Sequence, residues 1–313
     1  MRHGSEKAPA YYKKQPPAPA PGSRRPKEAR GLETAMQHAL SRALYRTLRG
    51  LPQCLPARLR TAARLALARR WYDFVNRLDP EGEARFFNYG WIPPGHTSDL
   101  PWTLERCQAA LYSRVVAISL RGKDVLEVGC GRGGGAWWIW RHCAPRSLVG
   151  LDLSIAALQF CARNYRARGL HFLQAAAGSL PFAARSFDAL VNVESSHAYP
   201  SLENFISEAA RVLRPDGVFL FADFRKRSEL DLLRRQLALP GLRLEQEEDL
   251  TEGVLRSLHL TELHKRALIA RKAPWFAGPV LEDFAGVSGT PVHTGLRSGR
   301  LVYVRLLLRK DRV

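Results

Sequence analysis

The sequence lacks long apolar runs, and none approaches the roughly 20 residues that a helix needs to span a bilayer. Its first residues also lack the pattern of a secretory signal, in which a charged start precedes an apolar stretch and a cleavage site. The five cysteines are odd in number and scattered, with no close pair or histidine partner at zinc-site spacing. We therefore expect a soluble cytoplasmic protein with reduced thiols, no disulfide framework and no bound metal.

Acidic residues are scarce as well. The chain has 29 Asp and Glu against 48 Lys and Arg, which gives a formal net charge of +19. The excess is concentrated in residues 1–78, where 17 basic residues stand against 4 acidic ones. Such a segment is most often a solvated helix face or a disordered tail, and it also suits an anionic membrane surface or, less well, a nucleic acid. Composition leaves these alternatives open, and it does not indicate an oligomeric state.

Three segments follow along the chain. Residues 1–30 combine proline, alanine and basic residues with little to bury, which predicts a disordered basic leader. Residues 31–83 repeat apolar side chains about every four positions, which predicts basic amphipathic helices with arginines facing outward. Residues 84–313 form the third segment, and a chain of 313 residues with 46% hydrophobic content can bury a full core.

From Asp124 onward, short β-rich runs alternate with helical stretches, a pattern typical of βαβ units. The predicted strands lie near residues 124–130, 147–153, 171–176, 187–194 and 217–223. We therefore expect an α/β fold with a doubly wound, mainly parallel sheet that is preceded by N-terminal helices. A last run at 299–310 has strand composition and is expected to pair antiparallel at the edge of the sheet.

Five of the seven residues from 129 to 135 are glycine, and they follow the first predicted strand. Ligands of parallel sheets bind at the carboxyl ends of the strands, where Gly129, Gly131 and Gly133 allow the backbone to turn and to approach a ligand. The next helix points unpaired N–H groups at the same place. The string alone also fits a dinucleotide motif or a turn without a ligand. Asp152 ends the second strand, where its carboxylate can accept hydrogen bonds from both hydroxyls of a ribose.

Four motifs occur in a fixed order, namely LEVGCGRG, VGLDLS, LPFAARSFDALVNVESSHAYP and RVLRPDGVFLFADF. Together they resemble the successive motifs of class I S-adenosylmethionine-dependent methyltransferases. The stretches FFNYGWIPP, CGRGGGA, NVESSHAYP, FLFADFR and LRSGRLVYVR resemble the subgroup of mycobacterial phthiotriolone ketone methyltransferases and related natural-product and sterol-type enzymes. The resemblance covers about residues 85–310. It implies a seven-stranded Rossmann-like methyltransferase fold and S-adenosyl-L-methionine as the cofactor.

Sequence position and resemblance together give the residues expected to bind the cofactor: Glu127, Gly129, Gly131, Gly133, Asp152, Leu153, Ala176, Ala177, Asn192 and Glu194. Tyr89 and Trp91 are expected to cover cofactor and substrate, although an aromatic core cluster fits them equally well. One position departs from the family pattern, because Ala176 stands where the family usually has an aspartate that holds the adenine amino group. Backbone groups of residues 176–178 and packing by Leu153 are expected to replace that contact.

His197 follows the fourth predicted strand and Asp223 ends the fifth, so adjacent strand ends bring the two side chains within hydrogen-bonding reach. A carboxylate in this position fixes the tautomer of an imidazole and raises its basicity. Related small-molecule O-methyltransferases carry a histidine and an acid at these positions. We therefore predict that His197 is the base in methyl transfer to a hydroxyl of a small molecule or lipid. The alternative is a loop histidine that only binds backbone.

Two other functions fit parts of the sequence. A nucleic-acid methyltransferase would account for the basic N-terminal segment, but NVESSHAYP replaces the Asn-Pro-Pro-aromatic run of amino-methylating enzymes. A catalytically inactive methyltransferase-like binding protein would account for Ala176, but it leaves Asp152 and His197 without a purpose. The sequence specifies neither the methyl acceptor nor whether oxygen, carbon or nitrogen is methylated.

Overall fold

Seven strands form one sheet in the part of the chain that the computed structural model describes, residues 56–95, 101–238 and 241–312. The strands are β1 (Asp124–Val128), β2 (Ser147–Asp152), β3 (Leu170–Gln174), β4 (Phe187–Val193), β5 (Leu213–Lys226), β6 (Leu242–Asp249) and β7 (Leu301–Lys310). Their order across the sheet is β3-β2-β1-β4-β5-β7-β6. The pairs from β3 to β5 are parallel, and β7 is antiparallel to both of its neighbours. The doubly wound α/β fold expected from the sequence is confirmed.

Helices precede the sheet and connect its strands: α1 (Ala57–Arg77), α2 (Leu104–Val115), α3 (Gly134–Cys143), α4 (Ile155–Asn164), α5 (Leu202–Val212), α6 (Leu230–Ala238), α7 (Thr251–Lys272), α8 (Gly278–Phe284) and α9 (Pro291–Arg297). A short 3-10 turn at Ser196–Ala198 follows β4. The predicted leader and the first predicted helix of the basic segment lie outside the described residues. Within those residues, no helix has the length and apolar character needed to cross a bilayer.

The central strands are buried on both faces, which is why their sequences are nearly continuous apolar runs. Along β4, Ala189 and Val191 belong to one apolar cluster, whereas Leu190 between them belongs to another. Successive side chains of a strand point to opposite faces. The sheet therefore has a packed core on each side, and its strand ends form the edge at which a site can lie.

The last strand takes a different place from the one expected. It pairs antiparallel as predicted, but β7 lies between β5 and β6 instead of at the edge of the sheet. All side chains from Val302 to Leu308 are buried in β7, whereas β6, with the sequence LRLEQEED, is mostly exposed. An apolar strand is stable inside a sheet, and a charged strand at the edge discourages pairing with other chains. Because of its polar composition, β6 has no apolar strand pattern, and the sequence analysis did not predict it.

Helix α1 is the helix predicted after Pro56, and it packs against the sheet domain. Oδ1 of Asp73 accepts hydrogen bonds from Ser154 Oγ at 2.6 Å and from Ala156 N at 3.1 Å. The carboxylate thus lies at the N-terminus of α4, where the helix dipole favours a negative charge. An apolar cluster makes a second contact between α1 and the region of α8: Trp71, Phe74, Val75, Leu78, Ala277 and Leu281.

A buried ion pair links the segment after α1 to the glycine loop. The Arg132 side chain in the loop is only 1% exposed, and its Nη1 lies 3.3 Å from Asp79 Oδ2. Its Nη2 donates to the Asp79 carbonyl at 2.5 Å, and the guanidinium lies 4.0 Å from the ring centroid of Phe160. Breaking a buried pair by removing one partner costs about 3–5 kcal/mol. The Asp79–Arg132 pair therefore holds the segment after α1 against the glycine loop.

Candidate active site

The glycine loop joins β1 to α3 and turns sharply against the end of β2. The N–H groups of Gly129 and Cys130 both donate to the Leu151 carbonyl, at 2.7 and 3.0 Å. Gly129 has φ +76°, and a Cβ at this position would lie 2.3 Å from Ser195 Oγ. Glycine is required here because of its backbone conformation and because the loop after β4 approaches the same point. Contacts within the protein, and not only the approach of a ligand, therefore require glycine at position 129.

A cavity of about 310 Å³ lies at the carboxyl ends of the parallel strands, beside this loop. Most of the residues expected from the sequence line it: Tyr89, Gly129, Gly131, Asp152, Leu153, Ala176, Ala177, Glu194 and His197. Asp223 lies behind the lining, in contact with His197. Four expected residues are not part of the lining, and the structure gives them other contacts: Trp91, Glu127, Gly133 and Asn192.

Gly133 and Asn192 hold the walls of the cavity from behind. Gly133 is the N-cap of α3 with φ +73°, and a Cβ there would lie 2.8 Å from Cys161 Sγ. Asn192 is fully buried in β4. Its Nδ2 lies 2.8 Å from the Val128 carbonyl and 2.9 Å from Tyr199 Oη. Neither residue is part of the cavity lining, and cofactor contact by either one stays a prediction.

Glu127 lies one layer deeper, on β1. Its side chain is buried, and its Oε1 accepts a hydrogen bond of 2.6 Å from Tyr112 Oη on α2. Burial raises the pKa of Glu127 to about 8, although the hydrogen bond from Tyr112 opposes the shift. The carboxyl group is therefore mostly neutral near pH 7. It is not part of the cavity lining, whereas its hydrogen-bond partner Tyr112 is a lining residue.

The two aromatic residues of the FFNYGW stretch have different environments. Trp91 packs into the core against α7, so closely that a Cβ on Gly253 would lie 2.2 Å from its Nε1. Tyr89 lines the cavity and stacks on Phe224, with ring centroids 5.8 Å apart. Tyr89 is therefore in a position to cover a ligand in the cavity. Trp91 packs in the core, which is the alternative that the sequence left open.

Asp152 is the carboxylate that the sequence placed at the end of β2. Its Oδ2 accepts a hydrogen bond from Gly131 N and its Oδ1 one from Ser154 N, each at 2.8 Å. Each oxygen keeps a further lone pair for a ribose hydroxyl. Beside it, a Cβ on Gly131 would approach no atom more closely than Phe87 Cδ2 at 3.7 Å. A hydrogen-bond acceptor in the cavity lining, beside this glycine, fits the ribose of S-adenosylmethionine.

The segment that follows β3 forms another wall of the cavity. It consists of Ala175, Ala176, Ala177 and Gly178, which carry no polar side chain. The backbone is fixed at both ends, since Ala175 N donates to the Asp152 carbonyl at 3.2 Å and Ser179 N donates to the Ala176 carbonyl at 3.1 Å. A ring that lies here meets small apolar side chains and peptide groups. Ala176 thus lines the cavity without a carboxylate that could bind the adenine amino group, as expected from the sequence.

His197 lies in the 3-10 turn after β4. Its Nδ1 is 2.8 Å from Asp223 Oδ1, and its backbone N–H donates to Asp223 Oδ2 at 2.9 Å. The imidazole packs on Phe224 with ring centroids 4.4 Å apart. Because an ionised carboxylate can only accept, Nδ1 carries the proton and the lone pair is on Nε2. The two side chains meet as expected from their strand ends, and the imidazole has the tautomer that a base at Nε2 requires.

The Asp223 carboxylate is fully buried in β5, which continues to Lys226, and it is surrounded by donors. Besides His197, Ser196 Oγ donates to Oδ2 at 2.6 Å and Phe224 N donates to Oδ1 at 2.9 Å. Arg225 Nη1 lies 3.0 Å from Oδ2. Burial opposes ionisation, but the charge of Arg225 and the contacts of His197 and Ser196 outweigh it and hold the pKa of Asp223 well below its usual range. The group is therefore an anion at neutral pH.

Glu194 starts the segment that carries the histidine. It has φ +46°, a left-handed conformation that is uncommon for a residue other than glycine. Its Oε1 accepts hydrogen bonds from Tyr89 N and Tyr303 Oη, both at 2.8 Å. Burial raises the pKa of Glu194 to about 8. These contacts hold the chain in the sharp bend between β4 and the turn with His197.

Helix α1 contributes a wall that the sequence did not reveal. Its lining residues recur every three or four positions, as one stripe of a helix: Thr61, Leu65, Ala68, Tyr72 and Asn76. Phe284 on α8 also lines the cavity, and its ring centroid lies 6.4 Å from that of Tyr72 and 5.7 Å from that of Phe87. The helical spacing is visible in the sequence, but an amphipathic pattern does not show what its inner face covers.

The chain is similar to several known methyltransferases. The family model described as a methyltransferase domain matches residues 126–221. The chain is 36% identical over 250 residues to the phthiotriol/phenolphthiotriol dimycocerosates methyltransferase of Mycobacterium tuberculosis, which covers 78% of this chain and 92% of that protein. It is 37% identical over 207 residues to the fatty-acid O-methyltransferase of Mycolicibacterium smegmatis, which covers 65% of this chain and 76% of that protein.

Solved structures share the fold. The [4+2]-cyclase SpnF matches with a TM-score of 0.64 and 21% identity, over 79% of this chain and 96% of the cyclase. The geranyl diphosphate C-methyltransferase of Streptomyces coelicolor, in complex with Mg²⁺, geranyl diphosphate and S-adenosyl-L-homocysteine, matches with a TM-score of 0.56 and 18% identity, over 84% of this chain and 100% of that enzyme. At these identities, the similarity concerns the fold alone.

The motif order, the fold and these relatives agree on one class, the S-adenosylmethionine-dependent methyltransferases. The chain belongs to the methyltransferase family that includes the enzyme of Mycobacterium tuberculosis. The resemblance found in its motifs is thereby confirmed, as is its assignment as an enzyme. The family implies the use of S-adenosylmethionine, and Asp152 beside the glycine loop fits that cofactor.

The substitution Asp152→Ala is expected to weaken S-adenosylmethionine binding about 10- to 150-fold, because a hydrogen bond to a charged group contributes roughly 1.5–3 kcal/mol. Isothermal titration calorimetry on the purified proteins measures this loss. Glu229→Ala removes an exposed carboxylate that pairs with Lys226 on the surface, and this control should bind like the wild type. Equal affinities of Asp152→Ala and wild type would contradict the ribose assignment.

Proposed function

We propose that this enzyme transfers the methyl group of S-adenosylmethionine to an oxygen atom of a lipid-like acceptor, with His197 as the base. The observation that carries the proposal is the 2.8 Å contact of His197 Nδ1 with Asp223 Oδ1 at the wall of the cavity. Relatives that are named for dimycocerosates and for fatty acids support an acceptor with long apolar chains. One of them is an O-methyltransferase by name.

In the proposed reaction, the protein removes the proton of the acceptor hydroxyl. Bound S-adenosylmethionine supplies a methyl group on a positively charged sulfur, and a new C–O bond forms as the C–S bond breaks. A hydroxyl is a weak nucleophile until its proton leaves. His197 Nε2 takes up that proton, while Asp223 holds Nδ1 and stabilises the imidazolium that results. Phe224 restricts the tilt of the imidazole by packing against its face.

The cofactor part of the cavity is proposed to lie between the glycine loop and the segment after β3. Asp152 binds the ribose there, and peptide groups of residues 176–178 take the place of the missing carboxylate at the adenine amino group. Leu153 packs against the adenine ring. The placement of Asp152, Leu153, Ala176 and Ala177 in one lining supports this arrangement.

The acceptor part is proposed to extend along α1. Leu65 and Ala68 of the lining stripe are apolar, and Phe284 adds an aromatic surface beside Tyr72. Apolar walls of this kind favour an aliphatic chain, because each buried CH₂ group contributes about 0.8 kcal/mol. The sequence placed the start of the methyltransferase domain at residue 84. We propose that the functional unit begins earlier, with α1, because α1 supplies one wall of the cavity.

An anionic lipid surface is the proposed source of the acceptor. Helix α1 carries exposed arginines that are not part of the cavity lining, among them Arg58, Arg64, Arg69 and Arg70. Basic side chains near a membrane contribute about 1 kcal/mol each to binding. A helix that carries exposed basic side chains and also lines the cavity can hold the enzyme where lipid acceptors are concentrated. The strongly basic composition of residues 1–78 supports the same role.

The substitution His197→Ala is expected to lower kcat by about 10²- to 10⁴-fold, the usual contribution of a positioned base, with little change in cofactor affinity. Asp223→Asn should give a smaller loss. The wild-type rate should rise with pH as the imidazole loses its proton and then level off. Transfer of a labelled methyl group to hydroxylated lipids, measured across pH, tests these statements. Near-normal turnover of His197→Ala would reject the base but leave the methyltransferase assignment standing.

The substitution Ala68→Phe should raise KM for long-chain acceptors about tenfold or more, because a bulky ring fills part of the proposed acceptor wall. Short-chain acceptors and the Kd for S-adenosylmethionine should change little. Ala66→Phe is the matched control, because Ala66 is exposed on the same helix and is not part of the lining. A loss of cofactor affinity in Ala68→Phe, without selectivity for chain length, would assign the stripe to the cofactor instead.

The triple substitution of Arg64, Arg69 and Arg70 by Gln should weaken binding to anionic vesicles about fivefold for each charge that faces the membrane. Sedimentation with phosphatidylglycerol-containing vesicles, at low and high salt, measures the effect. A control with three exposed arginines from other surfaces, Arg121, Arg235 and Arg243, has the same net charge. Equal losses in both triple variants would indicate a general effect of net charge and argue against a surface formed by α1.

A further inference from the structure

A cation, Arg225, contacts the Asp223 carboxylate of the proposed His197–Asp223 pair. Arg225 lies two positions after Asp223 on β5, on the same face of the strand, and its side chain is 9% exposed. Its Nη1 is 3.0 Å from Asp223 Oδ2, whereas the other oxygen, Oδ1, is 2.8 Å from His197 Nδ1. One buried carboxylate therefore joins a permanent cation to a titratable imidazole.

The position of Arg225 does not depend on the histidine. Its Nη1 also donates to the Phe224 carbonyl at 2.7 Å, and its Nη2 donates to Ser196 Oγ at 2.5 Å. The guanidinium carbon lies 5.6 Å from the ring centroid of Phe221. Ser196 in turn donates to Asp223 Oδ2 at 2.6 Å. The cation is thus fixed against both the carboxylate and the turn that carries His197.

We propose that Arg225 is a positioning residue that sets the ionisation of His197 by offsetting the negative charge of Asp223. A carboxylate alone favours the protonated imidazole, which cannot accept a proton from a substrate. A cation on the far oxygen of the same carboxylate reduces this effect, because the two charges partly cancel at the imidazole. The inference rests on the proposed function, in which the neutral imidazole is the base.

Other titratable groups near the pair carry less charge. Burial raises the pKa of Glu194 to about 8, so this group is mostly neutral near pH 7. Burial also raises the pKa values of Tyr199 and Tyr303, which stay neutral. Lys265 is a cation whose pKa burial lowers to about 8, and its Nζ lies over the ring of Tyr89, 5.7 Å from the centroid. Arg225 is thus the permanent charge that touches the carboxylate directly.

The test compares Arg225→Gln, which keeps hydrogen-bond donors without the charge, with Arg225→Lys, which keeps the charge. The His197 ring is titrated by NMR in each full-length protein, and the rate of methyl transfer is measured across the same pH range. In Arg225→Gln, both midpoints should rise by about one pH unit. The rate below the midpoint should fall roughly tenfold and recover at higher pH. Arg225→Lys should retain the wild-type midpoint.

A merely structural role of Arg225 predicts a lower rate at every pH with an unchanged midpoint, and this result would overturn the inference. If Arg225→Gln does not fold, Asp223→Asn provides the second test. It is compared with the double variant Asp223→Asn/Arg225→Gln, because removing both partners of a buried ion pair costs less stability than removing one. The NMR midpoint of His197 should be higher in the double variant, which lacks the cation, than in Asp223→Asn, and equal midpoints would overturn the inference. A shifted NMR midpoint without a shift of the rate profile would support the role of Arg225 while rejecting His197 as the base.

Discussion

The buried carboxylate of Asp223 is the charge on which the proposed catalytic arrangement depends. An ionised group inside a protein is stable only when it has charged or hydrogen-bonding partners. Its partners come from the turn after β4, through Ser196 and His197, and from β5 itself, through Arg225. Satisfying this one charge fixes the turn and sets the tautomer of the imidazole at the cavity wall. The contacts that stabilise the anion thus also prepare the proton acceptor.

A second carboxylate organises the other end of the cavity. Asp152 accepts the N–H groups of Gly131 and Ser154, so it orders both the glycine loop and the start of α4. Parallel strands end at the same edge of the sheet, and β1 and β4 separate β2 from β5. Three strand spacings place Asp152 and Asp223 about 14 Å apart along that edge. This span accommodates a cofactor at one acid and an acceptor at the other, as the proposed function requires.

Helix α1 is the described part of the basic N-terminal segment, and it lines the cavity. Asp73 anchors it to the start of α4, and Asp79, just after the helix, pairs with Arg132 of the glycine loop. Its lining stripe includes Leu65 and Ala68, and several arginines of the same helix are exposed to solvent. One helix therefore combines cavity-lining residues with exposed basic side chains. This combination accords with the proposal that the enzyme takes a lipid-like acceptor from an anionic surface.

The sequence by itself determined the parallel strands, the glycine loop and the acids at the strand ends, because these features depend on local patterns and on the rule that parallel strands end at one edge. It also predicted the meeting of His197 with Asp223, which adjacent strand ends impose. The tertiary structure alone decided the position of β7 inside the sheet, since strand order depends on which faces find apolar partners. It also decided that α1 lines the cavity and that Arg225 shares a carboxylate with His197, because a local sequence pattern does not show which distant segment a side chain contacts.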